Sequence, residues 1–199
     1  MRKLFANPFL IKKKIIKVIN RIFLAPFFKK YGKGSRIEKA YFLTPQYIEL
    51  GTNVLICERA RIEGVSEYEQ IKFTPKIVIE DNVSIQQNIH LTCANLITIK
   101  KFTAIAANVS ITDIIHPYLD IKTPIEKQPI EFKFVEIGEN CKIYNNAVIL
   151  PGVVLGNHCV VGANSVVKEG IYPNFSILVG SPAKIVTAYV DSQWVSVKK

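Results

Sequence analysis

The chain has 199 residues, of which 49% are hydrophobic and 21% charged. This composition is that of one soluble globular domain with a sizeable core, and it excludes a disordered, fibrous or multi-pass membrane protein. The formal net charge of +10 belongs to one end, because residues 1–33 carry ten Lys or Arg and no acidic residue, whereas the rest carries equal numbers of basic and acidic side chains. We therefore expect a neutral body that binds no nucleic acid.

The basic segment 1–33 contains a predicted amphipathic helix over residues 11–24, bracketed by Pro8 and Pro26. The pattern indicates a helix lying on an anionic membrane surface, and a helix packed on the protein or on a neighbouring subunit is the alternative. Lysines interrupt the apolar run and no cleavage site follows it, so we expect no secretory signal and a cytoplasmic protein, peripheral on the inner face of the cytoplasmic membrane. The aliphatic side of the helix consists of Ile11, Ile15, Val18, Ile19 and Ile22, and the polar side of Lys13, Lys14, Lys17, Asn20 and Arg21.

Further along the chain, large aliphatic residues recur at every sixth position in four blocks. In the longest block, IGENCK, IYNNAV, ILPGVV, LGNHCV, VGANSV and VKEGIY, the fifth position of the first five hexads is also small. A helix would spread a six-residue repeat around its circumference, and a hairpin strand would alternate every two residues. The period instead fits coils of about 18 residues, each with three short strands that stack in parallel on the next coil. The leading residues are Leu50, Ile56, Ile62; Ile79, Ile85, Leu91; Ile99, Ile105, Ile111; and Ile137, Ile143, Ile149, Leu155, Val161, Val167.

Two segments leave this register, residues 64–78 and residues 113–135. A solenoid accommodates such insertions as loops at its corners, where functional residues commonly gather. We therefore predict coils over residues 34–187, with a long loop at 113–135 and a C-terminal tail at 188–199. The four cysteines form no CxxC pair, and Cys141 and Cys159 lie one coil apart, which predicts two reduced thiols stacked in the core.

The hexads follow the signature [LIV]-[GAED]-x-x-[STAV]-x and lead into PNFSILVGSPAKIV at residues 173–186. In these motifs the chain resembles the hexapeptide-repeat, left-handed parallel β-helix acyltransferases. The segments QNIHL, NVSITDIIHPY and GSPAKIV look most like the O-acetyltransferases that modify bacterial surface polysaccharides. The resemblance implies an all-β protein, a left-handed parallel β-helix with an N-terminal helix and a long loop, assembled as a homotrimer. It also implies acetyl-CoA as acyl donor, no metal, and a saccharide or lipid-linked saccharide acceptor in lipopolysaccharide or capsule biosynthesis.

His116 lies where the last regular hexad gives way to the long loop, and the resemblance implies the general base at this junction. An imidazole, with an ordinary pKa of ~6.5, is largely neutral at pH 7 and can accept the proton of a sugar hydroxyl as its oxygen attacks a thioester. Asp113 either holds the His116 ring through a hydrogen bond or simply forms a turn. Of the other histidines, His158 is expected to be idle at a corner, and His90 is either structural or in a substrate groove.

The same resemblance implies where the other ligand contacts lie. Ala163 would flank the pantetheine arm of coenzyme A, and Lys168 and the loop Ser181, Pro182, Ala183 and Lys184 would lie near its nucleotide. We further expect Asn88, His90 and Tyr118 to contact the acceptor.

Three other functions are weighed against O-acetyl transfer. They are N-acetylation of an amino-sugar nucleotide, a non-catalytic β-helix scaffold, and a zinc hydratase. The zinc site would require His90, His116 and His158 to converge, whereas their register puts them on different faces and far apart along the coils.

Overall fold

A computed structural model describes residues 8–197; residues 1–7 of the basic segment and 198–199 of the tail lie outside the described residues. One α-helix, α1 (Pro8–Ile19), continues as a π-helix (Asn20–Leu24) and a 3-10 turn (Ala25–Phe27), and further 3-10 turns span Pro45–Tyr47 and Ile125–Lys127. The strands, in chain order, are β1 (Lys30–Tyr31), β2 (Arg36–Ile37), β3 (Phe42–Leu43), β4 (Ile48–Leu50), β5 (Leu55–Ile56), β6 (Arg61–Gly64), β7 (Glu67–Tyr68), β8 (Ile71–Lys72), β9 (Lys76–Ile79), β10 (Ser84–Ile85), β11 (His90–Cys93), β12 (Leu96–Ile99), β13 (Ala104–Ile105), β14 (Ser110–Thr112), β15 (Ile114–Ile115), β16 (Glu131–Phe132), β17 (Val135–Ile137), β18 (Lys142–Ile143), β19 (Val148–Ile149), β20 (Val153–Leu155), β21 (Val160–Val161), β22 (Val166–Val167), β23 (Gly170–Tyr172), β24 (Ser176–Gly180), β25 (Ala183–Val190) and β26 (Gln193–Ser196).

Three long sheets form the sides of a prism. The first sheet has the order β1-β4-β9-β12-β17-β20-β23, the second β2-β5-β10-β13-β18-β21-β24-β25-β26, and the third β22-β19-β14-β11-β6-β3. Neighbouring strands are parallel except at the C-terminal end, where β24, β25 and β26 run antiparallel. Successive strands of the chain thus visit the three sheets in turn. This confirms the predicted left-handed parallel β-helix.

The core consists of ladders of aliphatic side chains that run along the axis of the prism. In the second sheet, for example, Ile85 pairs with Ile105, which pairs with Ile143. Every leading residue of the four predicted blocks is fully buried, which confirms the six-residue period. Burying each such side chain is worth roughly 1.5–3 kcal/mol. The predicted thiol stack is confirmed too, since both side chains are buried and the Cys159 N–H donates to Cys141 Sγ at 3.4 Å.

One corner of the prism carries a ladder of asparagine side chains. Asn88, Asn108, Asn146 and Asn164 all have positive φ values between 56° and 60°, a conformation that asparagine tolerates better than most residues. Each side-chain amide donates to the side-chain oxygen of the next, at 2.8, 3.0 and 2.9 Å. The asparagines therefore form the turn and also join successive coils.

The N-terminal helix contacts the first coil through a polar residue. Asn20 is buried, and its Oδ1 accepts the N–H of Ile37 in the edge strand β2 at 2.6 Å. The aliphatic side of the helix faces outward, and Ile15, Val18 and Ile22 are 52–58% exposed. In residues 8–197, no helix is both long and apolar enough to cross a bilayer.

Two short antiparallel hairpins stand outside the prism. The first, β7 and β8, lies within residues 64–78, and the second pairs β15 with β16 and closes the segment 113–135. At the tip of the first hairpin, Glu69 and Gln70 both have positive φ, 46° and 67°. We call these hairpins, with the residues that join them to the coils, the first and second excursions.

Candidate active site

A groove of about 590 Å³ lies on the outer face of the third sheet, between the two excursions. Its floor is formed by β6, β11 and β14, whose alternate side chains point inward to the core and outward to the groove. Strand register sets the floor in two rows, Arg61 with His90 and Ser110, and Glu63 with Thr92 and Thr112. The walls are built by Val65, Glu67 and Tyr68 from the first excursion and by Ile114, His116 and Ile130 from the second.

Two of the three histidines meet in this groove. His116 comes from the second excursion and His90 from the start of β11. The expectation that register keeps them far apart is wrong, because the second excursion leaves from β14, the neighbour of β11. His158 lies elsewhere, with its ring 5.4 Å from Phe175 and 6.3 Å from Trp194. No group of three or more His, Cys, Asp or Glu side chains in the described part of the chain could hold a metal ion.

Asp113 serves the corner that carries β11 into β12. Its carboxylate is fully buried and accepts the backbone N–H groups of Ala94, Asn95 and Leu96 at 2.7–2.9 Å. It also lies 3.3 Å from Cys93 Sγ, and burial together with this carboxylate raises the pKa of the Cys93 thiol. The expectation that Asp113 orients His116 is therefore replaced by the alternative, a turn-forming aspartate, since four donors already occupy its two oxygens.

The charges that line the groove are mostly paired with one another. The guanidinium of Arg61 forms an ion pair with Glu63, with Nε 3.0 Å from Oε2, and its other face lies 5.7 Å from the Phe42 ring. Glu67 adds a further carboxylate on the wall. Among the described lining residues, Arg61 is the one Lys or Arg, so no unpaired permanent cation faces the groove.

The first excursion supplies a wall of the groove whose residues the six-residue pattern does not predict. The Tyr68 ring meets the His116 ring edge-to-face, with centroids 5.5 Å apart. Neither Tyr68 nor the pair Arg61 and Glu63 was singled out from the sequence. The signal available was the loss of register at residues 64–78, which marks an insertion but does not say which residue points into the groove.

The residues expected to contact coenzyme A gather at the C-terminal coils. Lys168 follows β22 and is exposed, as is Ala163. Ser181 and Pro182 join β24 to β25, whereas Ala183 and Lys184, expected in the same loop, begin β25. The two segments are linked where Ser165 Oγ accepts the Gly180 N–H at 3.1 Å. In the third sheet β22 lies two strands beyond β14, about 10 Å along the axis. Ser181, Pro182 and Lys184 are exposed, and Ala183 is buried.

Two of the residues expected to contact the acceptor lie outside the groove lining. Asn88 donates to Asn108 in the corner ladder, which commits its amide to the coil. Tyr118 is 69% exposed in the second excursion. His90 is the member of the expected set that the structure brings to the groove.

Sequence comparison finds a matching repeat family and a relative. Residues 134–169 match the bacterial transferase hexapeptide family (six repeats). WbbJ of Escherichia coli (strain K12), whose name provisionally makes it a lipopolysaccharide biosynthesis O-acetyl transferase, is 36% identical over 120 residues. That match covers 57% of this chain and 61% of WbbJ, so the chain spans about three fifths of the relative's length.

Solved structures share the fold at low sequence identity. AntD, an N-acyltransferase from Bacillus cereus solved with dTDP and 3-hydroxybutyryl-CoA, superposes with a TM-score of 0.66 at 22% identity, over 82% of this chain and 84% of AntD. The hexapeptide-repeat acetyltransferase VCA0836 of Vibrio cholerae O1 biovar eltor, solved with acetyl coenzyme A, gives 0.52 at 19% identity, over 91% and 87%. The repeats, matched over residues 134–169, and the shared fold together show that the chain folds as a left-handed parallel β-helix built from hexapeptide repeats.

Proposed function

We propose that the chain is an acetyl-CoA-dependent O-acetyltransferase that acetylates a saccharide hydroxyl during the biosynthesis of a surface polysaccharide, with His116 as general base. The observation that carries this proposal is the meeting of His116 and His90 in one groove, between two excursions from an otherwise regular coil. The name of WbbJ and the acyltransferase neighbours support the reaction class.

The groove offers what this reaction needs. A neutral imidazole at His116 accepts the acceptor's hydroxyl proton while the oxygen forms a bond to the thioester carbon. The tetrahedral intermediate then collapses to the acetyl ester and expels the thiolate of coenzyme A. The thiolate takes up the proton from the imidazolium, which restores the neutral imidazole. Floor side chains such as Thr92, Thr112 and Ser110 provide hydroxyl groups that can hydrogen-bond a sugar.

The donor would approach along the third sheet from the C-terminal coils. Lys168 and Lys184 are exposed cations close to the link between Ser165 and Gly180, and they suit the phosphates of coenzyme A. Ala163 leaves room beside the pantetheine arm because its side chain is small. The strands β14 and β22 lie about 10 Å apart, so the proposed binding site for the coenzyme A phosphates is separate from His116.

The charges of the groove favour an uncharged sugar over a sugar nucleotide. A nucleotide acceptor brings a pyrophosphate, which cationic side chains usually bind. Here Arg61 is already paired with Glu63, and Glu67 would repel a phosphate. This favours O-acetylation of a saccharide or lipid-linked saccharide over N-acetylation of an amino-sugar nucleotide.

The deciding experiment is mass spectrometry of products from the full chain with acetyl-CoA and matched panels of hydroxyl and amino sugars, free and nucleotide-linked. We expect a mass gain of one acetyl group on hydroxyl sugars, and mild alkali, which hydrolyses esters but leaves amides intact, should remove it. If amino-sugar nucleotides alone gave acetylated products, the reaction would be N-acetylation and not O-acetylation. An absence of acetyl-CoA binding in calorimetry would favour the non-catalytic scaffold.

We also propose a homotrimer in which a neighbouring coil completes the donor groove. Large apolar side chains remain exposed on the coils, among them Phe102 and Ile171, and a second copy would cover them. Analytical ultracentrifugation should give three times the chain mass of 22.4 kDa. A monomer at micromolar concentration would contradict the assembly.

The N-terminal helix is proposed to hold the protein on the cytoplasmic face of the membrane. Exposed Val18, Ile22 and Phe23 lie among Lys17 and Arg21 on a helix without acidic residues, as an anionic lipid surface requires. We expect the full chain to sediment with phosphatidylglycerol vesicles and not with phosphatidylcholine vesicles. Replacing Val18 and Ile22 by Glu should abolish this, whereas Ile121→Glu in the second excursion should not.

A further inference from the structure

We propose that Tyr68, anchored by Glu126, is the positioning residue that sets the orientation of the His116 imidazole. The inference rests on the proposed function, because it takes His116 as the base. It assigns to the first excursion a specific part in the reaction, although this hairpin lies some fifty residues before the histidine in the sequence.

The surroundings of His116 point to Tyr68 as its orienting neighbour. Its expected orienting group, Asp113, is committed to the backbone N–H groups of residues 94–96. In residues 8–197, the described contact of the imidazole is with the Tyr68 ring, at 5.5 Å between centroids and an interplanar angle of 79°. Edge-to-face packing of this kind favours one ring orientation over others. The tyrosine therefore takes the orienting part that the sequence suggested for the aspartate.

Tyr68 is itself held in place by the second excursion. Its hydroxyl donates to the backbone oxygen of Glu126 at 2.7 Å and approaches the Glu126 carboxylate at 2.9 Å. Next to these bonds, Lys127 Nζ lies 3.0 Å from Glu69 Oε1. Partial burial and the hydrogen bond to Glu126 raise the pKa of Tyr68, so its hydroxyl stays a donor at neutral pH. The tip of the first excursion is thus fastened to the 3-10 turn of the second.

The hairpin of the first excursion needs these contacts with the second excursion. A two-residue turn with both φ values positive favours Asn-Gly or similar pairs, yet here it is built from Glu69 and Gln70. Contacts made by Tyr68 and Glu69 with the second excursion hold this disfavoured turn in place. At the base of the excursions, Phe73 and Phe132 pack edge-to-face at 6.1 Å. The two excursions are therefore joined at the tip and at the base, with the His116 ring packed on the tip contact.

The test compares Tyr68→Leu and Tyr68→Phe with Tyr41→Leu, which removes a 77% exposed tyrosine of the first coil. We expect Tyr68→Leu to lower kcat about 10- to 100-fold at an unchanged KM for acetyl-CoA, because the base is present but misoriented. Tyr68→Phe keeps the ring and should retain a kcat between those of Tyr68→Leu and the unaltered protein. Tyr41→Leu should leave both parameters unchanged.

A double-mutant cycle then shows whether Tyr68 acts through His116. In the His116→Ala background, Tyr68→Leu should cause no further loss of kcat, since there is no imidazole left to orient. Full additivity of the two losses, or an unchanged kcat in Tyr68→Leu, would overturn the inference. An unaltered protein that transfers acetyl to no hydroxyl acceptor would instead overturn the proposed function. If Tyr68→Leu lowers the melting temperature, Tyr68→Phe and its own cycle with His116→Ala decide.

Discussion

The coils and the excursions of this protein are built on opposite principles. In the coils each residue type repeats, so that Ile85, Ile105 and Ile143 occupy equivalent places and support one another. In the excursions single contacts are made once, as between Tyr68 and Glu126, residues that are 58 positions apart. Stability in the coils is therefore redundant, whereas the excursion that holds His116 depends on contacts that are made once. Substitutions in the two regions should consequently fail in different ways.

The largest effect is expected from His116→Ala. Loss of the proposed general base should lower the acetylation rate by about 10²–10⁴-fold with an unchanged free energy of unfolding, because the side chain is exposed to the groove. Steady-state kinetics and urea denaturation check the two halves of this statement. His158→Ala, at a corner away from the groove, is the matched control and should retain full activity. Near-normal turnover of His116→Ala would remove the residue from the mechanism.

The reverse behaviour is expected from Ile143→Ala in the coils. The side chain is fully buried between Ile105 and Val161 in the second sheet, and its truncation should lower the free energy of unfolding by about 2–5 kcal/mol. Activity should persist as long as the protein is folded. Urea denaturation measures the loss, with Ile121→Ala, at 94% exposure, as a control expected within about 0.5 kcal/mol. A kinetic defect without a stability defect would contradict this division.

Asp113→Asn tests the border between the two regions. The residue belongs by position to the second excursion but by its contacts to the coil. The asparagine amide would offer these backbone N–H groups one acceptor oxygen, where the carboxylate offers two. The free energy of unfolding should therefore fall by about 1–3 kcal/mol. We expect kcat of the folded variant to stay within a few-fold of the unaltered protein. A loss as large as that of His116→Ala, at unchanged stability, would restore the aspartate as a partner of the base.

The smallest effect concerns the attachment of the N-terminal helix and depends on pH. Burial, opposed by the nearby Arg21, raises the pKa of Tyr31 to about 12 from an ordinary 10.0, and its hydroxyl donates to the Ser35 carbonyl at 3.1 Å. The folded state thus binds the phenol proton more tightly than the unfolded state. The stabilisation of the folded state that arises from this pKa difference is complete below pH 10 and is lost as pH rises through 12. Tyr31→Phe should flatten this decline in urea titrations between pH 9 and 12, and an unchanged slope would contradict it.

How far the sequence predicts this molecule follows the same division. A repeated position such as Ile143 is recognised because five others obey the same rule, and each of them is buried as predicted. Asp113 occupies no repeated position, so no second instance indicates its role. Its two possible partners, the His116 ring and the 94–96 turn, can be distinguished only in the tertiary structure. Tyr68 could not be singled out because its contacts depend on where two separate insertions meet.

The N-terminal helix shows a further limit of sequence patterns. Its amphipathic pattern is real, but the pattern does not say which side meets the protein. Asn20 interrupts the polar side with a short side chain, and that residue reaches the unpaired N–H of Ile37. The orientation that hydrophobic periodicity left open therefore includes a hydrogen bond that satisfies a backbone N–H at a sheet edge.

At both ends of the coil stack, the second sheet is covered by something other than another coil. At the start, Asn20 occupies the N–H of Ile37 that a preceding strand would have used. At the finish, β25 folds back antiparallel on β24, and β26 on β25. A solenoid with bare ends can add copies of itself lengthwise without limit, as fibrils do. Here the second sheet is covered at both ends within the described residues, which disfavours lengthwise addition of further copies through that sheet.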